Sequence, residues 1–150
     1  MLQAGTYNDR KTVITFINSE ELTEENVAEK LKGQDGIVVC PGFGQRGIEG
    51  KIVAAHYTRT HDIPTFGICL GMQMMVIEFA RNVLGYKDAN SREIDEKTTH
   101  NVIDIMEEQK NITNMGGTMR LGAYECVLRQ GSHTFNIYKQ EHIQERHRHR

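Results

Sequence analysis

The chain has 150 residues, of which 38% are apolar and 25% charged, and its formal net charge is −2 at pH 7. This composition is typical of one globular domain with a modest core, and it argues against a disordered chain and against a nucleic-acid partner. No apolar run approaches the roughly 20 residues that span a bilayer, and no basic segment leads into an apolar one at the N-terminus, so we expect a cytoplasmic protein without a membrane partner.

The first half of the chain alternates predicted strands and helices. TVITFIN (residues 12–18) is rich in β-branched and aromatic residues, which predicts a strand. Residues 19–33 predict a helix with Ser19 or Thr23 as its N-cap and acidic residues in its first turn. GIVVC (residues 36–40) is a continuous apolar run, which is typical of a parallel strand covered on both faces.

The pattern then repeats. A glycine-rich loop, PGFGQRG (residues 41–47), follows the second strand, and residues 48–62 predict a crossover helix. IPTFGI (residues 63–68) predicts a third strand. Residues 70–84 predict a helix because large apolar side chains recur at helical spacing, namely Met72, Met75, Val76, Phe79 and Val83. Alternating strands and helices predict an α/β fold, with a mostly parallel sheet and helices on both faces.

The second half of the chain has a different pattern. NVIDIM (residues 101–106) is the best strand candidate after a weakly patterned stretch. Residues 114–138 predict short strands separated by glycine turns, which indicates a β-rich extension rather than another strand–helix unit. Since no proline-rich or serine-rich linker marks a boundary, we expect residues 1–150 to form a single domain.

The junction between the third strand and the next helix carries the strongest chemical signal. Cys69 lies between Gly67 and Gly71, which is the cysteine form of the nucleophile elbow. Such a turn places the thiol at the carboxyl end of a parallel strand and at the start of a helix, whose dipole stabilises a negative sulfur. The amide of Leu70 is then placed to donate to an oxyanion, and the loop at 41–47 can supply a second backbone N–H.

The three cysteines are Cys40, Cys69 and Cys126. Their odd number and the absence of a C-x-x-C pair argue against a disulfide framework and against a zinc site, so we expect no metal. Cys40 and Cys126 lie in strand-like runs, which predicts core packing for both. Cys69 is open to two interpretations, a catalytic nucleophile or a small buried apolar residue between two tight turns.

Several motifs in the same order resemble the glutamine amidotransferases of the cysteine-triad class. GICLGMQ (residues 67–73) is the motif of the wider family. Four others are similar to the glutaminase domains of the CTP synthase family, namely PGFGQRGIEGK (41–51), DANSREI (88–94), GGTMRLG (116–122) and ERHRHR (145–150). The resemblance implies a flavodoxin-like architecture and hydrolysis of L-glutamine to glutamate and ammonia. It also implies a partner, the amination domain that uses the ammonia to convert UTP to CTP with ATP and Mg, whereas the glutaminase domain itself needs no cofactor.

The resemblance also assigns site residues. By motif, Cys69 would form a glutamyl thioester, and Gly42 and Leu70 would supply the oxyanion-hole amides. The substrate-binding positions would be Gly42, Phe43, Gln73, Glu93 and Arg150. A carboxylate suits the α-ammonium group of glutamine and a guanidinium suits its α-carboxylate.

The sequence departs from the family in the residues expected around the nucleophile. The family uses a histidine as general base, oriented by a glutamate two residues later, and here no histidine is followed by an acid at that spacing; the seven are His56, His61, His100, His133, His142, His147 and His149. The family also has a strand and a helix before the equivalent of residue 4. We therefore expect a partial domain with little or no glutaminase turnover of its own.

Two other functions remain open on the sequence. One is a different cysteine-elbow α/β hydrolase, in which His100 or another histidine serves as base. The other is a non-catalytic binding or assembly module, for which Cys69 would be dispensable.

Overall fold

The computed structural model describes residues 1–104 and 122–147 of the chain. The chain divides into two compact units, Met1–Lys87 and Asp88–Arg150.

The first unit contains the elements that surround Cys69. In chain order they are α1 (Leu2–Tyr7), a 3-10 helix (Ser19–Glu21), α2 (Val27–Lys30), β1 (Ile37–Val39), α3 (Ile48–Thr60), β2 (Thr65–Gly67) and α4 (Leu70–Asn82). The predicted strands at 36–40 and 63–68 and the predicted helices at 48–62 and 70–84 are thus confirmed within a few residues. The sequence did not predict α1.

Strands β1 and β2 form a parallel pair, with Val39 opposite Gly67. The parallel arrangement follows from the crossover through α3, since a helix between two strands returns the chain to the same edge of the sheet. Met74 and Ile77 of α4 are fully buried. Their burial fixes the face of α4 that turns inward and therefore the direction in which α4 leaves the end of β2.

The predicted strand at residues 12–18 is not formed. This segment belongs to no strand, and Val13 and Phe16 are 75% and 91% exposed. It lies along a cavity of about 250 Å³ that is also lined by Ile37, Val38 and Val39 of β1. Because strand propensity takes effect only where a ladder partner is present, and this segment pairs with no described strand, it stays irregular.

The predicted helix at residues 19–33 is broken into the 3-10 helix and α2. The caps are Asn18 and Asn26 rather than Ser19 or Thr23. The Asn26 side chain accepts from the Thr23 N–H at 3.0 Å and donates to the Glu21 carbonyl at 2.8 Å. Asparagine side chains compete with helix hydrogen bonds in this way, so the chain turns between the two short helices.

A buried carboxylate joins α3 to α4. The Glu78 side chain is 2% exposed and accepts from Arg59 Nη2 at 2.7 Å and from Arg59 Nε at 2.9 Å. His56 Nδ1 lies 2.9 Å from Glu78 Oε1, and Asn82 donates to the same oxygen at 3.2 Å. Burial acts to raise the pKa of Glu78, but the hydrogen bonds from Arg59, His56 and Asn82 outweigh it and hold that pKa below its usual range.

The second unit contains two further strand pairs and a short helix. The elements are β3 (Asn90–Ser91), β4 (Asn101–Ile103), β5 (Gly122–Val127), α5 (His133–Tyr138) and β6 (His142–His147). Strands β3 and β4 are parallel, whereas β5 and β6 are antiparallel. The α/β class and the β-rich second half are thus confirmed, although the described strands form three separate pairs instead of one sheet.

One prediction for the second unit is wrong and another lies outside the described residues. Residues 133–138 form helix α5 instead of a strand, since the Ser132 side chain caps it by accepting from the Phe135 N–H at 3.1 Å. The motif at 116–122 lies outside the described residues except for Gly122, the first residue of β5.

His100 and Asp88 form a close pair in the second unit. His100 Nδ1 lies 2.5 Å from Asp88 Oδ1, and Thr99 donates to the other carboxylate oxygen through both its N–H and its hydroxyl. Hydrogen bonds from Thr99 and His100 hold the pKa of Asp88 well below its usual range. These contacts tie the start of β4 to the residues before β3.

Within the two described ranges, every helix is too short or too polar to cross a bilayer.

Candidate active site

Cys69 occupies a strained position between β2 and α4. Its backbone has φ 54° and ψ −114°, and it precedes the first residue of α4 as the N-cap. For a residue other than glycine, a positive φ costs on the order of 1–3 kcal/mol of folding free energy. Such a backbone conformation persists only where the surrounding structure holds it. The thiol is half-buried, so the strain presents the sulfur at the end of the strand without enclosing it.

The flanking glycines permit the close backbone packing around this turn. A Cβ on Gly71 would lie 2.0 Å from the carbonyl oxygen of Val39, and one on Gly67 would lie 2.7 Å from the backbone nitrogen of Met72. The same Val39 oxygen accepts from the Ile68 N–H at 3.0 Å. The end of β1 and the turn that carries Cys69 therefore meet at one backbone oxygen.

Leu70 and Gly42, the two expected oxyanion donors, lie next to each other. Leu70 is the first residue of α4, and the first N–H groups of a helix have no acceptor within it. A Cβ on Gly42 would contact Leu70 Cδ2 at 3.4 Å. The loop after β1 therefore packs on the start of the helix that follows Cys69, as expected for two loops that build one site.

The far end of this loop is fixed by a contact that the sequence reasoning missed. Gly47 caps α3 with φ 68°, and a Cβ on it would lie 2.2 Å from the Ser19 hydroxyl oxygen. A Cβ on Gly50 would lie 1.7 Å from the Ser19 carbonyl oxygen. The 3-10 helix thus packs against the first turn of α3. The signal was the G-x-x-G spacing at the start of the predicted crossover helix, which indicates a close backbone approach.

Charged groups surround the same loop. Lys51 Nζ donates to the Cys40 carbonyl at 2.9 Å. Arg46 Nη2 lies 2.6 Å from Glu20 Oε2, and a hydrogen bond from Arg46 lowers the pKa of that carboxyl. The sequence singled out none of these three charged residues, because each is ordinary on a helix or loop surface.

The two remaining cysteines differ from their predictions. The prediction that Cys40 packs in the core is wrong, because the residue is exposed and lies one position beyond the end of β1. Cys126 lies on β5 as predicted but is half-buried, so it is only partly packed.

The other expected substrate-binding residues are spread over the chain. Phe43 is 83% exposed in the loop after β1, and Gln73 lies in the first turn of α4, where its N–H donates to the Cys69 carbonyl at 3.2 Å. Glu93 belongs to the second unit, where its N–H donates to the Ser91 hydroxyl at 3.3 Å. Arg150 lies outside the described residues. No group of three or more His, Cys, Asp or Glu side chains that could hold a metal occurs in the part of the chain described.

Comparison with known proteins identifies the family of this arrangement. The CTP synthase of Bacteroides thetaiotaomicron is 76% identical over 99% of this chain, and that of Porphyromonas gingivalis is 59% identical over 100% of it. In both cases the chain spans about 28% of the length of the relative.

A solved structure agrees in fold. The structure described as "Trypanosoma brucei CTPS - glutaminase domain with bound acivicin" superposes with a TM-score of 0.87 and 42% identity, covering 97% of this chain and 56% of that one. The family model "Glutamine amidotransferase class-I" matches residues 3–150. The chain therefore belongs to the class-I glutamine amidotransferase family.

Proposed function

We propose that the chain carries the glutamine-hydrolysing site of a CTP synthase, with Cys69 as the nucleophile. The observation that carries the proposal is the positive φ of Cys69 at the junction of β2 and α4, which is the geometry of a nucleophile elbow. Family membership supplies the substrate, L-glutamine. The similarity to relatives named CTP synthase supplies the partner, an amination domain in which ATP and Mg act and the ammonia converts UTP to CTP.

The proposed reaction proceeds through a thioester. Cys69 Sγ attacks the side-chain carbonyl carbon of glutamine, and the new C–S bond leaves a negative charge on the carbonyl oxygen. The N–H groups of Gly42 and Leu70 donate to this oxygen, and the contact between these two residues supports that role. The C–N bond then breaks as a proton reaches the nitrogen, ammonia leaves, and water hydrolyses the glutamyl thioester to glutamate and free thiol.

The proposed substrate contacts use the remaining motif residues. Glu93 pairs with the α-ammonium group of glutamine, and Arg150 pairs with its α-carboxylate. Gln73 and the exposed Phe43 line the approach to Cys69 on the first unit. We further propose that both compact units belong to one amidotransferase domain, because one family model spans residues 3–150.

Covalent labelling tests the proposed nucleophile. We expect acivicin to modify Cys69 faster than Cys40 or Cys126 at neutral pH, and we expect excess glutamine to slow that modification, because only Cys69 lies beside both the elbow and the oxyanion loop. Peptide mapping by mass spectrometry assigns the modified residue, and Cys69→Ala is the control. Equal modification of the three thiols, or no protection by glutamine, would contradict the proposal.

Steady turnover by these 150 residues alone is expected to be slow. Release of ammonia requires a proton at the leaving nitrogen, and general acid–base groups typically contribute on the order of 10²–10⁴-fold to such steps. The chain has no histidine followed two residues later by an acid. Ammonia release from pure protein, measured with glutamate dehydrogenase, should therefore stay close to the rate of the Cys69→Ala variant. A steady rate well above that variant would show that another residue supplies the proton.

A further inference from the structure

Lys51 reaches from α3 to the start of the oxyanion loop. It lies in the first turn of α3, and its Nζ donates to the Cys40 carbonyl at 2.9 Å. A Cβ on Gly42 would lie 3.4 Å from the same Nζ. The ammonium group therefore sits beside the backbone that joins β1 to the proposed oxyanion donor.

The start of this loop needs an outside anchor. Strand β1 ends at Val39, so Cys40 is the first residue beyond the ladder. Pro41 has no N–H to donate, and Gly42 has no side chain to pack. The direction of the Gly42 N–H is set by how the preceding peptide is held, and the Lys51 contact holds the carbonyl of that peptide, which joins Cys40 to Pro41.

The contact between Lys51 and Cys40 is a charge-assisted hydrogen bond at the surface of the first unit. A hydrogen bond from an ammonium group is charge-assisted and roughly twice as strong as one between neutral groups. Lys51 is half-buried, and its neighbours along the helix, Ile52 and Ala54, are buried. The side chain is thereby directed along the surface of α3 towards β1.

We propose that Lys51 is a positioning residue for the oxyanion hole, a role that rests on the proposed glutaminase function. Its ammonium group fixes the Cys40 carbonyl and thereby aims the Gly42 N–H at the carbonyl oxygen of glutamine. The loss of one oxyanion donor typically lowers rates by about 10²–10³-fold, so partial misalignment of the donor is expected to lower reaction at Cys69 by roughly tenfold or more.

Two reagents separate this role from a general effect on the thiol. Attack of a thiolate on the C=N carbon of acivicin builds negative charge on the ring nitrogen, which an oxyanion-hole donor would stabilise, whereas iodoacetamide reacts by direct displacement of iodide and builds no such charge. In Lys51→Met we expect acivicin modification of Cys69 to slow by about tenfold while iodoacetamide alkylation of the same residue stays within about twofold. Lys51→Arg keeps a cationic donor and should recover most of the rate. Lys32→Met, at an exposed lysine in the first unit, is the matched control and should behave as the unsubstituted chain.

A second measurement tests, independently of activity, whether Lys51 positions the Gly42 N–H. In a chain labelled with ¹⁵N-glycine, the Gly42 amide is identified by its loss in Gly42→Ala. We expect one sharp Gly42 resonance in the unsubstituted chain and in Lys51→Arg, and a broadened or doubled one in Lys51→Met. A single sharp resonance in Lys51→Met, or an equal fall with both reagents, overturns the role of Lys51. Absence of acivicin modification in the unsubstituted chain contradicts the proposed function instead and leaves the resonance to judge Lys51.

Discussion

Gly71→Ala is expected to destabilise the chain by about 3 kcal/mol or more, although alanine has a higher helix propensity than glycine. Gly71 lies in the first turn of α4, where alanine would ordinarily be better than glycine by about 1 kcal/mol. The added Cβ, however, would lie 2.0 Å from the Val39 carbonyl oxygen and 2.7 Å from its carbon. Backbone atoms cannot rotate away as a flexible side chain can, so either β1 or the turn at Cys69 must move.

Urea unfolding of the two proteins measures this difference, and Gly33→Ala provides the control. Gly33 has φ 76° and open space around it, so alanine there should cost only about 1 kcal/mol through backbone strain. Acivicin modification of Cys69 should also be lost in Gly71→Ala. If Gly71→Ala were instead as stable as the unsubstituted chain, the close contact between α4 and β1 would be wrong.

Glu78→Gln should also be strongly destabilising, by about 3 kcal/mol at neutral pH. The carboxylate is 2% exposed and is held by Arg59 and His56 across the α3–α4 interface. The amide keeps the shape but loses the charge that compensates Arg59, and one of its two polar atoms then presents hydrogens where an acceptor is needed. Unfolding followed by circular dichroism in urea would give the change in free energy.

The loss of stability in Glu78→Gln is expected to depend on pH. Because the pKa of Glu78 is lowered from 4.5 in the folded chain, the ionised group stabilises the fold fully above that value, and the stabilisation is lost as the pH falls through the lowered pKa. The difference between the unsubstituted chain and Glu78→Gln should therefore shrink in acid. Glu21→Gln removes an exposed partner of Lys30 and should change stability by less than about 1 kcal/mol at any pH. Similar losses in both variants would mean that the Glu78 cluster contributes no more than a surface pair.

The sequence predicted the central strand–helix units well because their signals are local and mutually consistent. The apolar run at 36–40, the glycine-flanked Cys69 and the apolar spacing after it each favour one structure, and β1, β2, α3 and α4 formed where expected. The position of Cys69 as N-cap of α4 likewise follows from the G-x-C-x-G spacing between a predicted strand and a predicted helix.

The errors fall where tertiary contacts decide the outcome. Residues 12–18 have strand propensity, but the described structure leaves them outside any ladder, and propensity alone does not make a strand. Asn26 broke the predicted helix at 19–33 through side-chain hydrogen bonds whose partners are visible only in the folded chain. The role of Lys51 was equally hidden, since nothing in a lysine on a helix surface says which carbonyl it will reach.

The carbonyl oxygen of Val39 links the two backbone segments on either side of the candidate site. It accepts from the Ile68 N–H and packs against Gly71, so the strand that leads to the loop at 41–47 and the turn that carries Cys69 are joined through one backbone atom. Substitutions of side chains on other segments would then leave the alignment of the Cys69 turn with the loop at 41–47 intact. Main-chain contacts would therefore hold the proposed nucleophile against the loop at 41–47, which leaves side chains elsewhere available to set specificity.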